Sequence, residues 1–235
     1  MSKKPLKASE KKRLQEQLEL KMARKTRKTE EVSPIPPRTI IFCEGTKTEP
    51  YYLQAIVDLI KEKCRQYSKQ EHIKLDHIII KGTGRSNTSL FSHAVEKTSS
   101  DVAIVWLVYD KDDFPPDQFD NTPEMVKAHN KKSETKYHTA WSNECFELWL
   151  LLHYIRLESN INREEYHAKL KEPGRLPGYK KNDKDVYIKT KHLLNIAFKN
   201  AETLHKKYKG QGLTPSQMAP CTQMDKLIKW LVGYI

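Results

Sequence analysis

The chain has 235 residues, with 42 Lys and Arg against 30 Asp and Glu, and a formal net charge of +12. This length predicts one domain with an appendage or two small domains, and the charge favours a polyanionic partner, nucleic acid first. No apolar run is long enough for a membrane span, and residues 1–38 lack the apolar segment of a secretory signal. The four cysteines form no CxxC pair, which argues against a disulfide framework or a cysteine zinc site. We therefore expect a cytoplasmic protein with no membrane partner.

The positive charge is concentrated at the N-terminus. Residues 1–38 contain 12 Lys and Arg against 5 Asp and Glu. Leu14, Leu18 and Met22 have helical spacing within 11–28, but they form only a thin apolar stripe, and a Pro-rich stretch at 33–37 follows. We predict a basic N-terminal arm and linker over 1–38. Two interpretations stay open: a solvated, partly disordered arm, or an arm that folds onto nucleic acid or a partner.

The body, residues 39–235, has two halves with different patterns. Short apolar runs alternate with helical spacing over 39–141, which predicts a parallel α/β sheet with right-handed crossovers. Residues 142–235 read as mainly helical. Thr48 is a candidate N-cap, and Thr122 before Pro123 is another. The predicted strands are 39–43, 75–81, 102–109 and 136–140, and the predicted helices are 48–67, 88–97, 123–132, 144–154, 163–170, 185–208 and 222–234.

Acidic residues directly follow two of the predicted strands. Glu44 follows the first strand, and Asp110 and Asp112 follow the most apolar one. Ligands of open parallel sheets bind at the carboxyl ends of the strands. If these strands are neighbours and the chain turns after Asp110, the three carboxylates form an all-oxygen cluster suited to Mg²⁺ or Mn²⁺. For each acid alone, a solvated strand end is the competing interpretation.

The same residues resemble a known signature. Glu44-Gly45 after one strand and Asp110-x-Asp112 after a later strand are similar to the Toprim signature of topoisomerases, primases and OLD-type nucleases. Longer segments resemble RloB-like proteins over about 38–235, with Glu144 standing where that family usually has Pro. The segments that carry this resemblance are Cys43–Tyr52, Ser142–His153 and Pro220–Thr222.

The resemblance implies a Toprim-like fold, a divalent metal and phosphodiester chemistry. Under it, Glu44, Asp110 and Asp112 would bind Mg²⁺ or Mn²⁺ and act in catalysis, and Glu44 would also be a general base. Glu49 belongs to the family's opening motif; it either completes the metal site or favours the helix dipole. Glu147 lies among apolar residues, where a carboxylate is costly unless it is paired, so we expect either a metal-site role or a structural salt bridge.

Several cations and one aromatic residue could contact phosphates and bases. Lys47 lies in the motif loop, and Arg85 lies in a Gly-rich loop that is either a phosphate contact or a plain turn. Lys180 could stabilise the transition state and Lys181 could bind nucleic acid, unless the run is only solvated. Tyr179 could stack on a base. Asn143, before the predicted helix 144–154, is either an N-cap or a site residue.

The sequence therefore predicts a metal-dependent nuclease. RloB-like proteins are associated with bacterial restriction and abortive-infection loci, which implies a role in anti-phage defence, with RNA or tRNA preferred over DNA as substrate. The competing hypothesis is a non-catalytic basic module that binds nucleic acid or a larger complex. The acidic residues favour the nuclease over the binding module, because carboxylates repel phosphate and would not help a binding module. No P-loop is present, so any ATPase would be a separate chain, a plausible partner alongside another defence-system subunit.

Overall fold

The computed structural model describes residues 35–67 and 77–235. The predictions for residues 1–34, including the helix over 11–28, and for 75–76 at the start of the second predicted strand lie outside this part. Residues Ile35–Ile235 belong to one compact unit. Within the described ranges, no helix combines the length and apolarity needed to cross a bilayer.

The framework is a five-stranded sheet in the order β2-β1-β3-β4-β5. The first four strands run parallel, and β5 pairs antiparallel with the end of β4. Strand β1 is buried along its whole length and β3 along nearly all of its length, which explains their almost continuous apolar sequences. The predicted α/β fold with a helical C-terminal half is confirmed. The strands are β1 Thr39–Cys43, β2 Ile78–Gly82, β3 Ile104–Asp110, β4 Lys136–Asn143 and β5 Cys221–Thr222.

Helices cover both faces of the sheet. Successive residues of a strand point to opposite faces, so Ile41 packs in one apolar cluster and Phe42 in another. The larger cluster contains α1 and the helices after β4, and the smaller contains α2 and α3. The helices are α1 Thr48–Tyr67, α2 Asn87–Lys97, α3 Pro116–His129, α4 Glu147–Leu151, α5 Arg163–Leu170, α6 Val186–Thr190, α7 Leu194–Tyr208 and α8 Met224–Val232.

Two predicted N-caps were wrong, although α1 has its predicted range of 48–67. Helix α3 begins at Pro116, and Pro123 lies inside it. Pro116 meets the same first-turn preference seven residues earlier, where Phe119 becomes fully buried. The internal Pro123 lacks an N–H donor and its ring crowds the carbonyl four residues earlier, so the longer helix carries this local cost. Thr122 donates its hydroxyl to the Gln118 carbonyl instead of capping. Thr48 lies within α1, and its hydroxyl donates to the Lys181 carbonyl.

The segment after β4 also differs from its prediction. Strand β4 continues through Asn143 because β5 pairs with its end, so the next helix begins only at Glu147. Asn143 is therefore not an N-cap; its amide donates to the carbonyls of Pro215 at 3.1 Å and Ser216 at 2.9 Å. The predicted helix over 185–208 is divided into α6 and α7 by a 3-10 turn. The helix predicted from residue 222 begins at Met224, since Thr222 is in β5.

Candidate metal and active site

Glu44 and Asp110 meet at the carboxyl ends of two neighbouring strands. Strands β1 and β3 are adjacent and parallel, with Cys43 opposite Val108. The Glu44 N–H continues this ladder by donating to the Val108 carbonyl at 2.8 Å. The Asp110 N–H donates to Glu44 Oε2 at 3.1 Å. The condition set by the sequence, that the two strands be neighbours, is met.

Asp112 joins these acids because the chain turns immediately after β3. Asp112 has a φ of 41°, in the left-handed region that Asp tolerates better than most residues. Its N–H donates to the Glu144 carbonyl at 3.1 Å. Its carboxylate accepts a hydrogen bond from the Arg163 guanidinium, which also lies 4.0 Å from Asp110 Oδ2. Asp110 Oδ2 in turn accepts from the Phe146 N–H at 3.0 Å.

Two further carboxylates are buried beside this cluster. Glu49 is on the first turn of α1, and the absence of a side chain at Gly45 makes room for it, since a Cβ there would lie 2.1 Å from Glu49 Oε2. Glu147, at the start of α4, accepts from the Tyr179 hydroxyl at 3.2 Å, and its Oε1 is 3.4 Å from His167 Nε2. Both acids are almost fully buried.

These carboxylates line one cavity of about 360 Å³. Its wall carries five acids and three cations, so oxygen ligands and phosphate-binding groups face the same space. The ionisable residues of the wall are Glu44, Lys47, Glu49, Asp110, Asp112, Glu147, Arg163 and Lys181.

Burial and mutual repulsion make four of these acids, Glu44, Glu49, Asp110 and Asp112, reluctant to ionise. Burial raises the pKa of Glu44 to about 7, against the opposing hydrogen bond from the Asp110 N–H, and Asp112 and Glu49 repel it further. Burial, then repulsion by Glu49, holds the pKa of Asp110 well above its ordinary range. Burial also raises the pKa of Asp112, although Arg163 opposes the shift. Burial raises the pKa of Glu49 as well. A bound cation would relieve this repulsion.

The donor set suits a hard divalent cation, but the side chains are not arranged around one. Among residues 35–67 and 77–235, no three His, Cys, Asp or Glu side chains converge as metal ligands. Each central acid instead faces a protein donor: Glu44 the Asp110 N–H, Asp110 the Phe146 N–H, and Asp112 the guanidinium of Arg163. Buried, mutually repelling carboxylate oxygens fit Mg²⁺ or Mn²⁺. Binding would require some of these side chains to turn.

The four cations predicted to contact nucleic acid divide into two that line the cavity and two that do not. Lys47 and Lys181 line the cavity. Lys180 and Arg85 are exposed and lie outside its wall, although the Arg85 loop is bonded to the site through the Gly84 N–H, which donates to the Glu44 carbonyl at 2.9 Å.

Tyr179 does not fit its predicted role. Only 3% of Tyr179 is exposed, and its ring stacks on His167 with centroids 5.8 Å apart. A ring in this position presents no open face to a base. The prediction was wrong because it treated the basic loop as solvated along its whole length, whereas Tyr179 is anchored in the core through Glu147.

Sequence reasoning missed Arg163 and His167. Arg163 is the first residue of α5, where the helix dipole disfavours a cation. This unfavourable placement was the available signal that an acid elsewhere in the fold holds it. His167 is one turn further along the same helix, and no spacing in the sequence connects it to Glu147.

The sequence model of the RloB-like protein family matches residues 39–231. The match covers most of the chain and includes every residue of the cavity wall. No significant match was found among curated proteins or among solved structures. The chain belongs to the RloB-like protein family.

Proposed function

We propose that this protein is a Mg²⁺- or Mn²⁺-dependent nuclease. The observation that carries the proposal is the cavity in which five carboxylates, three of them buried and two partly buried, face three cations at the carboxyl ends of β1 and β3, on α1 and on α4. A pure binding site for nucleic acid would not concentrate acids in this way, because they repel phosphate. Carboxylates beside cations suit a site that binds a metal and a phosphodiester together.

Glu44, Asp110 and Asp112 would hold the metal, with Glu49 and Glu147 as further oxygen donors. When bound, the metal would supply Lewis-acid polarisation of the phosphate and lower the pKa of a water. Glu44 would take the proton from the attacking water. Its backbone is fixed in the β1–β3 ladder, and the Asp110 N–H orients its carboxylate. This rigidity keeps the proton acceptor in place without a reorganisation cost.

Cations around the cavity would bind the nucleic acid. Lys47 and Lys181 lie in its wall and would bind phosphate oxygens of the substrate. Lys180, adjacent to Lys181 and exposed, would stabilise charge on the scissile phosphate, and Arg85 would contact the backbone further along. Binding through such contacts weakens as the salt concentration rises.

The proposed setting is bacterial anti-phage defence by abortive infection. Membership of the RloB-like family supports it, together with the Toprim-like signature at Glu44, Asp110 and Asp112. RNA, including tRNA, is the proposed substrate, because an effector that arrests its own cell must damage an abundant molecule. A separate ATPase or another defence-system subunit is the proposed partner.

The test is cleavage by the purified full chain. Single-stranded RNA, tRNA, single-stranded DNA and duplex DNA are each incubated with Mg²⁺, Mn²⁺ or EDTA. We compare the wild type with Glu44→Gln and Asp110→Asn, and use Glu202→Gln as a matched control because that acid is on the surface of α7. Cleavage by wild type and control, lost in EDTA and in both site variants, is the expected result.

Expression in bacteria tests the proposed setting. Induction of the wild type should arrest growth and fragment one class of nucleic acid, and Asp110→Asn should do neither. If purified protein and induced cells leave all RNA and DNA intact, even with partner proteins supplied, the nuclease proposal is wrong. Unchanged nucleic-acid binding by the two site variants would then favour the binding module.

A further inference from the structure

Arg163 already supplies a positive charge to the acids that would hold the metal. Its guanidinium bonds Asp112 through Nη2, and the same nitrogen is 4.0 Å from Asp110 Oδ2. Asp110 is almost fully buried, and only 19% of the Asp112 side chain is exposed. Arg163 is thus the cation nearest two of the three acids, and its positive charge would repel a divalent ion bound by them.

The guanidinium is only partly satisfied in this position. Arg163 Nε is buried and has no hydrogen-bond partner. Arg175, by contrast, uses both terminal nitrogens, with Nη1 donating to the Lys169 carbonyl at 2.7 Å and Nη2 lying 2.9 Å from Glu172 Oε2. An arginine that serves only as a structural link gains most when its donors are all used. Arg163 therefore has donors to offer to another acceptor.

The backbone at Arg163 is firmly placed, whereas its side chain is partly exposed. Asn162 caps α5, and Glu165 completes a capping box with the Asn162 backbone. The Arg163 side chain is 40% exposed at the cavity wall, so it can swing outward without unfolding the helix. Swinging outward leaves Asp112 free and keeps the guanidinium beside the cavity.

We propose that Arg163 is a built-in counter-cation that competes with the divalent metal for Asp112 and Asp110. This inference rests on the proposed metal site. Entry of the metal displaces Arg163 from Asp112, and the released guanidinium, which lines the same cavity, becomes available to a phosphate oxygen of the substrate. The ion pair holds the Asp112 carboxylate on a protein donor, as the Asp110 and Phe146 N–H groups hold the carboxylates of Glu44 and Asp110.

Competition predicts that removal of Arg163 tightens metal binding. Mn²⁺ binding is measured on the full chain by calorimetry and by the electron paramagnetic resonance signal of free Mn²⁺, without nucleic acid. Arg163→Gln should lower the Mn²⁺ dissociation constant by about fivefold or more, the lower end of ordinary coupling between two ligands. The dissociation constant of Arg163→Lys should lie between those of wild type and Arg163→Gln, because lysine keeps the charge but loses the planar guanidinium fork. Arg156→Gln should bind as wild type does, since Arg156 pairs with Glu158 and is not part of the cavity wall.

Thermal unfolding separates competition from a structural role. Arg163→Gln should lower the melting temperature in EDTA, because the acids lose their counter-cation, and saturating Mn²⁺ should restore most of the loss. A loss of equal size with and without Mn²⁺, or an unchanged dissociation constant, would overturn the inference while leaving the nuclease proposal standing. Absence of Mn²⁺ binding by all variants would overturn both. Tighter binding by Arg163→Gln together with no nuclease activity in any protein would sustain the inference and reject the nuclease.

Discussion

Two buried acids in this molecule, Asp225 and Asp110, are similarly hidden from solvent but differ in their neighbours. Asp225 on α8 is 3% exposed and has two partners on other side chains, His205 Nε2 at 2.9 Å and the Lys229 ammonium, Nζ, at 3.5 Å. Around Asp110, by contrast, carboxylates outnumber cations in one cavity. Burial alone therefore does not mark a functional site. We expect the marker of such a site to be an excess of acids over cations in a cavity that a metal ion can enter.

The sharpest test of this comparison is catalytic. Asp110→Asn should reduce nuclease activity by at least about 100-fold, since loss of a metal ligand costs more than loss of an outer-shell partner. Asp225→Asn should retain activity close to that of wild type, once corrected for the folded fraction. Initial rates of substrate cleavage at saturating Mg²⁺ measure both. Equal losses in the two variants would mean that the two acids do not differ in role.

The second test is stability in the absence of metal, where Asp225→Asn should have the larger effect of the two variants. Asp225→Asn weakens the contacts with His205 and Lys229 and should lower the free energy of unfolding by about 1–3 kcal/mol. Asp110→Asn relieves repulsion among buried acids, and its amide oxygen can still accept from the Phe146 N–H, so its stability should equal or exceed that of wild type. Urea unfolding in EDTA gives both values. Destabilisation by Asp110→Asn would show that the Asp110 carboxylate makes a net stabilising contribution in the absence of metal.

A smaller effect follows from the proton on Glu44. Its pKa is raised from 4.5 to about 7, so the folded state holds this proton more tightly than the unfolded state does. The destabilisation is absent below about pH 4.5, grows as the pH rises, and is complete above about pH 7. Without divalent ions, Glu44→Gln should therefore gain melting temperature over wild type at pH 8 and gain little at pH 5. A difference between the two proteins that is constant over this range would contradict the shifted pKa.

The smallest predicted effect concerns Gly45. An alanine there would push the Glu49 carboxylate aside, and a flexible side-chain end can move at low cost. Gly45→Ala should leave the melting temperature nearly unchanged and weaken Mn²⁺ binding by no more than about tenfold. Glu49→Gln provides the comparison and should weaken binding to a similar extent. Weaker binding by Gly45→Ala alone would assign the effect to the loop backbone instead of Glu49.

The sequence predicted well those helices and strands whose limits depend on neighbouring residues in the chain. Helix Arg163–Leu170 and strand Thr39–Cys43 have the predicted bounds, because apolar spacing and flanking residues define them. The meeting of Glu44 and Asp110 followed from the rule that parallel strands present their carboxyl ends together.

Long-range contacts could not be predicted in the same way. Strand β5 has two residues, too few to carry a period. Arg163 reaches Asp112 across 51 positions, and its place at a helix N-terminus indicates that some acid holds it but not which one. Tyr179 bonds Glu147, 32 positions away, and the basic residues beside Tyr179 in the sequence do not indicate that its ring is buried.

The pairing of β4 with β5 has a consequence for the order of folding. Ser142 Oγ and Thr222 Oγ1 lie 3.0 Å apart although they are separated by 80 positions in the chain. Closing so long a loop costs conformational entropy before the contact gives anything back, so we expect this edge of the sheet to form late. The segment that follows β4 supplies the Phe146 N–H that holds Asp110. During synthesis on the ribosome, the acids would therefore be positioned only after β5 has emerged, and an unfinished chain would not yet have an assembled carboxylate cluster.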